Sequence, residues 1–473
     1  MKLPLSTVLL LLLFVGCKEK SAVEPITDDV SVNTWILDEM KYWYYWNDRI
    51  PTTPEKNQKP ADFFQSILYK YDATIRPDGD RFSWIQESAE ELTSSLSGQT
   101  KGNGMEYKLY YYPSGTTNVM GVVIYTLPGS PAAKAGIKRG DLFVAVNQEK
   151  LTATNYAKLL NSKDTKTFTF AQLGAAKEVI ENGIQKELIP EVVQEDPVYF
   201  DTVYVSNSRK IGYLVYHQFN PGPNGVSKNL YDQKMEAVFE RFKKVSINEL
   251  VVDLRYNAGG YVSSATVLGS LIGKVNDNDI FYYKEYNASV TPDLEKKYGK
   301  DFFYQKYSAK SQNVGAGLNK VYFLTSTSTA SASELLINGL KPFMEVILVG
   351  GKTVGKNMGS ITISDSKKKI KWGLQPLVTK SLNGLKKSDY NTGFIPNYAV
   401  NEGVELYPYG DQRDKLLGLA LDLILENPIA RSATANQNAS KDLQVEIGSS
   451  LSAKSGGGNM FFDDLKEGNS GNK

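Results

Sequence analysis

The 473-residue sequence has a single cysteine and a single histidine. This scarcity removes disulfide frameworks, zinc sites of the usual kind, and any cysteine–histidine pair other than Cys17 with His217. It also leaves few ways to build a Ser-His-Asp triad, because His217 lies in KIGYLVYHQFN, a strand-like run in which it reads as a structural residue. Net charge is nearly absent. The 54 Lys+Arg against 52 Asp+Glu give +2, with no basic block dense enough for a nucleic-acid footprint, so nucleic acid is not an expected partner. No internal repeat is apparent, and past the first residues no run is apolar enough to span a membrane.

What is present is globular in composition, 41% hydrophobic and 22% charged, with length for about three domains. MKLPLSTVLLLLLFVGC carries a lysine near its start, an apolar run from Val8 to Val15 and then Gly16-Cys17. That is the layout of a signal peptide ending in a lipoprotein-type cleavage site. Residues 1–17 are therefore expected to be a leader and Cys17 the lipidated residue. Residues 18–28 form a tether, and the protein is expected to be a lipid-anchored lipoprotein of a bacterial cell envelope, in the periplasm or outer membrane, touching a membrane through its anchor.

Downstream, TWILDEMKYWYYWND spaces Ile36, Met40 and Trp43 at helical intervals, which predicts a small N-terminal helical domain over 29–95. Residues 96–192 carry signals of short strands and turns. Over 193–427 strands alternate with helices, the pattern of an α/β domain with a largely parallel sheet, α+β for the whole chain. Residues 428–473, rich in Ser, Asn, Lys and Gly, are expected to be disordered.

Three strand-like runs of the α/β domain end in unusual loops: ELVVDLRYNAGG (Glu249 to Gly260), KVYFLTSTSTAS (Lys320 to Ser331) and EVILVGGKTVGK (Glu345 to Lys356). A helix predicted to begin at Ser331 joins the second run to the third, which makes a βαβ crossover. Parallel strands point their C-terminal ends one way, so the three loops should meet. Ser331 then sits at a helix N-terminus, where free N–H groups favour developing negative charge. The glycines of Asn257-Ala258-Gly259-Gly260 let backbone N–H groups approach closely. Lys356 arrives from the third strand, and burial in an apolar site can lower its pKa to about 7 or 8, leaving a neutral amine able to take a serine proton. The plainer reading of Ser331-Ala-Ser-Glu334 is a capping box, S-x-x-E, at an ordinary helix start. GGKTVGKN, Gly350 to Asn357, nearly reads as a phosphate-binding loop, but Asn357 stands where the magnesium-binding hydroxyl belongs, so no nucleotide is expected.

The pieces IGYLVYHQF (Ile211 to Phe219), DLRYNAGG (Asp253 to Gly260), STASASE (Ser328 to Glu334) and VGK (Val354 to Lys356) resemble, in order, the C-terminal processing peptidases, or tail-specific proteases, of the Ser-Lys type. MGVVIYTLPGSPAAKAGIKRGDLFVAVN resembles a PDZ domain. The resemblance implies a Clp/crotonase-like protease core over 193–427 beside a PDZ-like domain over 96–192. It implies Ser331 as nucleophile and Lys356, 25 residues later, as base. Ala332 and Gly259 or Gly260 would be the oxyanion-hole donors, with Asp253 and Arg255 holding the loop in shape. Gly102, Asn103, Gly104 and Met105 would be the loop that receives a peptide C-terminus. TWILDEMKYWYYWND and DRFSWI look like N-terminal regions of lipoprotein members.

One place departs from the family. Its polar residue four positions after the lysine is Ser360 here, so either Ser360 or Asn357 would orient Lys356. The implied activity is a serine endopeptidase acting through an acyl-enzyme on polypeptides with exposed C-termini, requiring no metal or cofactor. The alternatives are a weak or inactive peptide-binding envelope scaffold working through its PDZ domain, and an acyl hydrolase or ligand carrier on the same fold. Oligomeric state is not legible.

Overall fold

The computed structural model describes residues 25–96, 98–113, 115–162, 164–223, 229–426, 446–453, 460–462 and 465. Cys17 and the leader lie outside the described residues. Among those residues no helix is long and apolar enough to cross a membrane.

Helix α1 (Asp29–Trp43) starts at Asp28, whose carboxylate accepts the Ser31 N–H at 2.8 Å. Its Ile36, Leu37 and Met40 are buried with Tyr44, Phe63 and Phe64 in the same apolar cluster as Leu250, Leu335 and Leu377 of the α/β region. Strand Trp84–Gln86 also pairs antiparallel with Gly373–Gln375. The N-terminal helical region thus shares one core with the chain 200 to 300 residues later, through Ile36, Leu37, Met40, Tyr44, Phe63 and Phe64.

The next unit is an antiparallel sheet. Strand β1 (Met105–Tyr111) lies beside β2 (Val119–Thr126), and strands Leu142–Val146, Lys166–Leu173 and Val179–Leu188 follow. Alternation along β1 sends Met105, Tyr107 and Leu109 into a core with Val123, Phe143 and Phe168.

The α/β unit is built on a six-stranded sheet. Its strands are, in order, Val198–Ser206, β3 (Arg209–Tyr216), β4 (Glu249–Asp253), then, after short β5 (Gly260–Tyr261) and helix α2 (Val262–Ile272) elsewhere, β6 (Lys320–Thr325). Helix α3 (Ala332–Leu340) crosses over to β7 (Glu345–Gly350), and Tyr398–Ala399 closes the edge. Every pairing from β3 to that edge is parallel. Continuous apolar runs such as ELVVD are what strands buried on both faces require. Helix α3 is buried along its whole length, consistent with an apolar residue on every side.

Strand β8 (Met358–Ser360) belongs to a second sheet. Two further strands overturn an expectation: β9 (Glu446–Ser449) and β10 (Met460–Phe461) fall in the tail expected to be disordered. Strand β9 pairs with β1, and β10 lies between β5 and β8. The tail is polar on average, but Ile447, Leu451, Met460, Phe461 and Phe462 are apolar and all pack into the fold. Composition averaged over the segment hides them.

Candidate active site

The register pairs Asp253 with Leu324 and Thr325 with Gly350, so the loops after β4, β6 and β7 emerge side by side. In the β6 loop and the first turn of α3, three hydroxyls are engaged. Ser326 Oγ donates to the Arg255 carbonyl. Thr329 Oγ1 donates to the Leu254 carbonyl at 2.8 Å, and Ser333 Oγ to the Asn257 carbonyl at 3.0 Å. These three bonds lace the β6 loop to the β4 loop.

Ser331 is different. Its backbone turns through φ 64°, ψ −115°, a region costly for a residue with a side chain. It is fully buried, and its Oγ has no hydrogen-bond partner among the described residues. The residue pattern of a capping box is complete, yet only one of its bonds is made: the Ser331 N–H donates to Glu334 Oε2 at 2.9 Å, while the serine side chain makes no capping bond. A buried hydroxyl in a costly backbone conformation, left out of the local hydrogen-bond network, has what a candidate nucleophile requires.

Glu334 organises the surroundings. Its Oε1 accepts from Thr353 Oγ1 at 2.5 Å and from the Gly355 N–H at 2.7 Å, and its Oε2 also accepts the Lys356 N–H at 2.8 Å. Burial raises its pKa, and these four donors pull it back. The same bonds engage the Gly355 and Lys356 N–H groups that a phosphate loop would turn toward its ligand.

Lys356 is fully buried. Burial lowers its pKa to about 7, against the opposing pull of Asp80 and Glu334. Its ammonium lies 5.0 Å from the centre of the Phe82 ring. Asp80 is itself buried, held where its Oδ1 accepts the Phe82 and Ser83 N–H groups at 2.8 and 2.9 Å. These two residues were missed as site residues in the sequence. The available signal was DRFSWI, read only as an N-terminal region.

Gly259 completes the floor. At φ 113° it faces Ser331, and a Cβ there would lie 2.6 Å from Ser331 Cβ. Only glycine allows this approach.

The chain is similar to known proteins over much of its length. The model of peptidase family S41 matches residues 210–400, that of the peptidase S41 N-terminal domain matches 31–84, and that of the PDZ domain matches 122–170. The chain belongs to peptidase family S41. The S41 chain is 22% identical to a carboxyl-terminal-processing protease of Picosynechococcus over 89% of its own length and 95% of that relative. It is 25% identical to the carboxy-terminal processing protease CtpB of Bacillus subtilis over 67% of its own length, and spans 58% of that protein. A crystal structure assigned to the S41 proteases, from Bacteroides fragilis, superposes with a TM-score of 0.68 at 26% identity, covering 83% of this chain and 97% of that one.

Within this S41 site several expected residues have their donors engaged. The Gly259 N–H donates to Asn257 Oδ1 at 2.9 Å, which leaves Gly260 and Ala332 as the other expected oxyanion donors. Ala332 is the first residue of α3, where an N–H has no partner within its own helix. The two residues expected to orient the lysine direct their donors elsewhere: Ser360 Oγ to the Met460 carbonyl at 3.2 Å, Asn357 Nδ2 to the Ser388 carbonyl and hydroxyl at 3.1 and 3.0 Å. Asp80 and Phe82 also stand at the lysine.

His217 sits in an aromatic box, stacked 3.9 Å from Tyr125 with Nε2 3.1 Å from Tyr409 Oη. Asp253 and Arg255 form a buried ion pair that extends to Glu402, Asp414 and Arg139 of the PDZ domain. Burial alone would raise the Glu402 pKa, but the two arginines outweigh it and hold the carboxylate well below its usual range. The peptide-loop candidates stand just before β1. Gly104 takes φ 72° against Ser130, and Asn103 Oδ1 accepts the Met105 N–H at 3.0 Å, while the Met105 side chain is buried in the PDZ core.

Proposed function

We propose that this chain is a Ser-Lys endopeptidase that takes protein substrates by an exposed C-terminal tail. The observation carrying the assignment is the pairing of an unpartnered, strained Ser331 Oγ with a buried Lys356 whose pKa falls to about 7, both tied to Glu334. Neutral Lys356 takes the Ser331 proton as Oγ attacks the peptide carbonyl. The Ala332 and Gly260 N–H groups hold the oxyanion. The C–N bond then breaks, Lys356 returns the proton to the leaving amine, and water releases the acyl group. A PDZ domain and relatives named for carboxyl-terminal processing support tail recognition.

The test is cleavage of an unfolded protein with an apolar C-terminus between pH 6 and 10, comparing the unsubstituted chain with Ser331→Ala and Lys356→Ala. Activity lost in both variants supports the dyad. Three equally inert chains that still bind the tail would return the protein to a scaffold.

We also propose that Cys17 is lipidated and anchors the protein in the cell envelope, on the strength of the MKLPLSTVLLLLLFVGC layout. Membrane-fractionated protein should release a diacylglyceryl-modified N-terminal peptide on mass analysis, and Cys17→Ala should move the protein to the soluble fraction. An unmodified, uncleaved N-terminus would refute the anchor.

A further inference from the structure

An exposed sheet edge is where an extended polypeptide adds as a strand. The outer edge of β1, which follows the Gly102–Met105 loop, is already taken by the chain itself. Strand β9 runs antiparallel along it, with Glu446 opposite Tyr110, Gly448 opposite Leu109 and Ser449 opposite Lys108. Its direction carries it toward the loop, as an antiparallel ligand of β1 must run.

The contacts are specific. The Tyr107 N–H donates to Ser450 Oγ at 2.8 Å, and that hydroxyl donates to Glu106 Oε2 at 2.6 Å. Lys108 pairs with Glu446 at 3.0 Å, Ile447 packs on the PDZ core, and Leu451 is buried with Ile124, Tyr125, Leu127 and Tyr256.

The same segment then reaches the catalytic loops. Strand β10 pairs with β5, whose Gly260 follows the glycine in contact with Ser331, and with Ser360 of β8, four residues beyond Lys356. The Met460 carbonyl accepts from Ser360 Oγ, the Phe462 N–H donates to the Ser360 carbonyl at 3.2 Å, and the Phe461 ring lies 5.7 Å from Tyr261. Met460, Phe461 and Phe462 are all buried.

We infer that residues 446–453 and 460–462 are the resident occupant of the two strand slots through which polypeptide enters this peptidase, so that substrate binds only by displacing them. The inference rests on the peptidase reading above. The order of the segment explains why it blocks without being presented for cleavage. A substrate held at the PDZ loop by its C-terminus offers upstream residues to Ser331, whereas this segment meets the PDZ edge first and the catalytic loops afterwards. The strand itself is short and its register with β1 irregular, so an apolar tail that offers a full ladder can compete.

The test uses the full chain. In a Ser331→Ala background, affinity for a labelled peptide with an apolar C-terminus is measured with and without Ile447→Asp plus Leu451→Asp, which peel the segment from the edge. Peeling should tighten binding about tenfold, because apparent affinity is reduced by the fraction of molecules in the competent state. As a second measurement, Lys108→Cys with Ser449→Cys, in a Cys17→Ala background, joins a cross-strand pair. Oxidation should weaken peptide binding and, with Ser331 present, slow cleavage by about tenfold, and reductant should restore both. Peptide affinity that ignores both peeling and locking overturns the inference, whatever the cleavage assay gives. Affinity that responds while no chain cleaves keeps the occupant and discards the peptidase.

Discussion

Ser331 and Lys356 are joined through one atom: Glu334 Oε2 accepts the backbone N–H of the serine at 2.9 Å and of the lysine at 2.8 Å. A residue that appears in the sequence as half of a capping box thereby fixes the relative position of the proposed nucleophile and base. Removing it should misplace both at once.

Glu334→Gln is the mildest such change. Each carboxylate oxygen accepts two donors, so either orientation of the amide turns an NH2 toward two of them. Peptidase kcat should fall at least about a hundredfold with little change in KM, since a 1 Å misplacement alone can have that effect. Thermal stability should fall as well, by about 1–3 kcal/mol for each buried donor left unsatisfied.

The rate should follow the neutral fraction of Lys356, rising with pH through about 7 and levelling above it. Asp80 pulls that pKa upward, so Asp80→Asn should move the midpoint to lower pH. The substitution keeps the Oδ1 that accepts the Phe82 and Ser83 N–H groups. A pH profile of kcat/KM for the two chains measures the displacement, and an unmoved midpoint would remove Asp80 from the site.

The buried lysine also has a cost in stability, with a definite sign. Its pKa is about 7 folded and near 10.5 unfolded, so between these values the unfolded chain binds more protons and stability rises with pH. Lys356→Met should therefore stabilise the protein most below pH 7, and the gain should shrink toward pH 10. Thermal melts of both chains at pH 6, 8 and 10 test this.

Gly259→Ala should abolish cleavage while leaving the fold. The new Cβ would meet Ser331 Cβ at 2.6 Å from a backbone at φ 113°. Circular dichroism should remain native while kcat drops by about a hundredfold or more.

Arg139→Ala removes one cation from a buried group in which Glu402 and Asp414 bond to both Arg139 and Arg255. Breaking a buried pair leaves uncompensated charge, so unfolding free energy should fall by about 3–5 kcal/mol, read from chemical denaturation.

The sequence by itself determined the βαβ crossover, the meeting of three loops and the serine–lysine spacing. Those follow from local periodicity and from the rule that parallel strands share a C-terminal edge. Tertiary structure decided which hydroxyls are engaged, because Ser326, Thr329 and Ser333 find their acceptors on the β4 loop some 70 residues away. It decided the surroundings of the lysine in the same way, bringing Asp80 and Phe82 across more than 270 residues. It also decided the fate of 446–453 and 460–462, which lie in a tail whose average composition reads as disorder. A few apolar residues there gain partners only on a sheet edge and between two strands that the rest of the chain must first build.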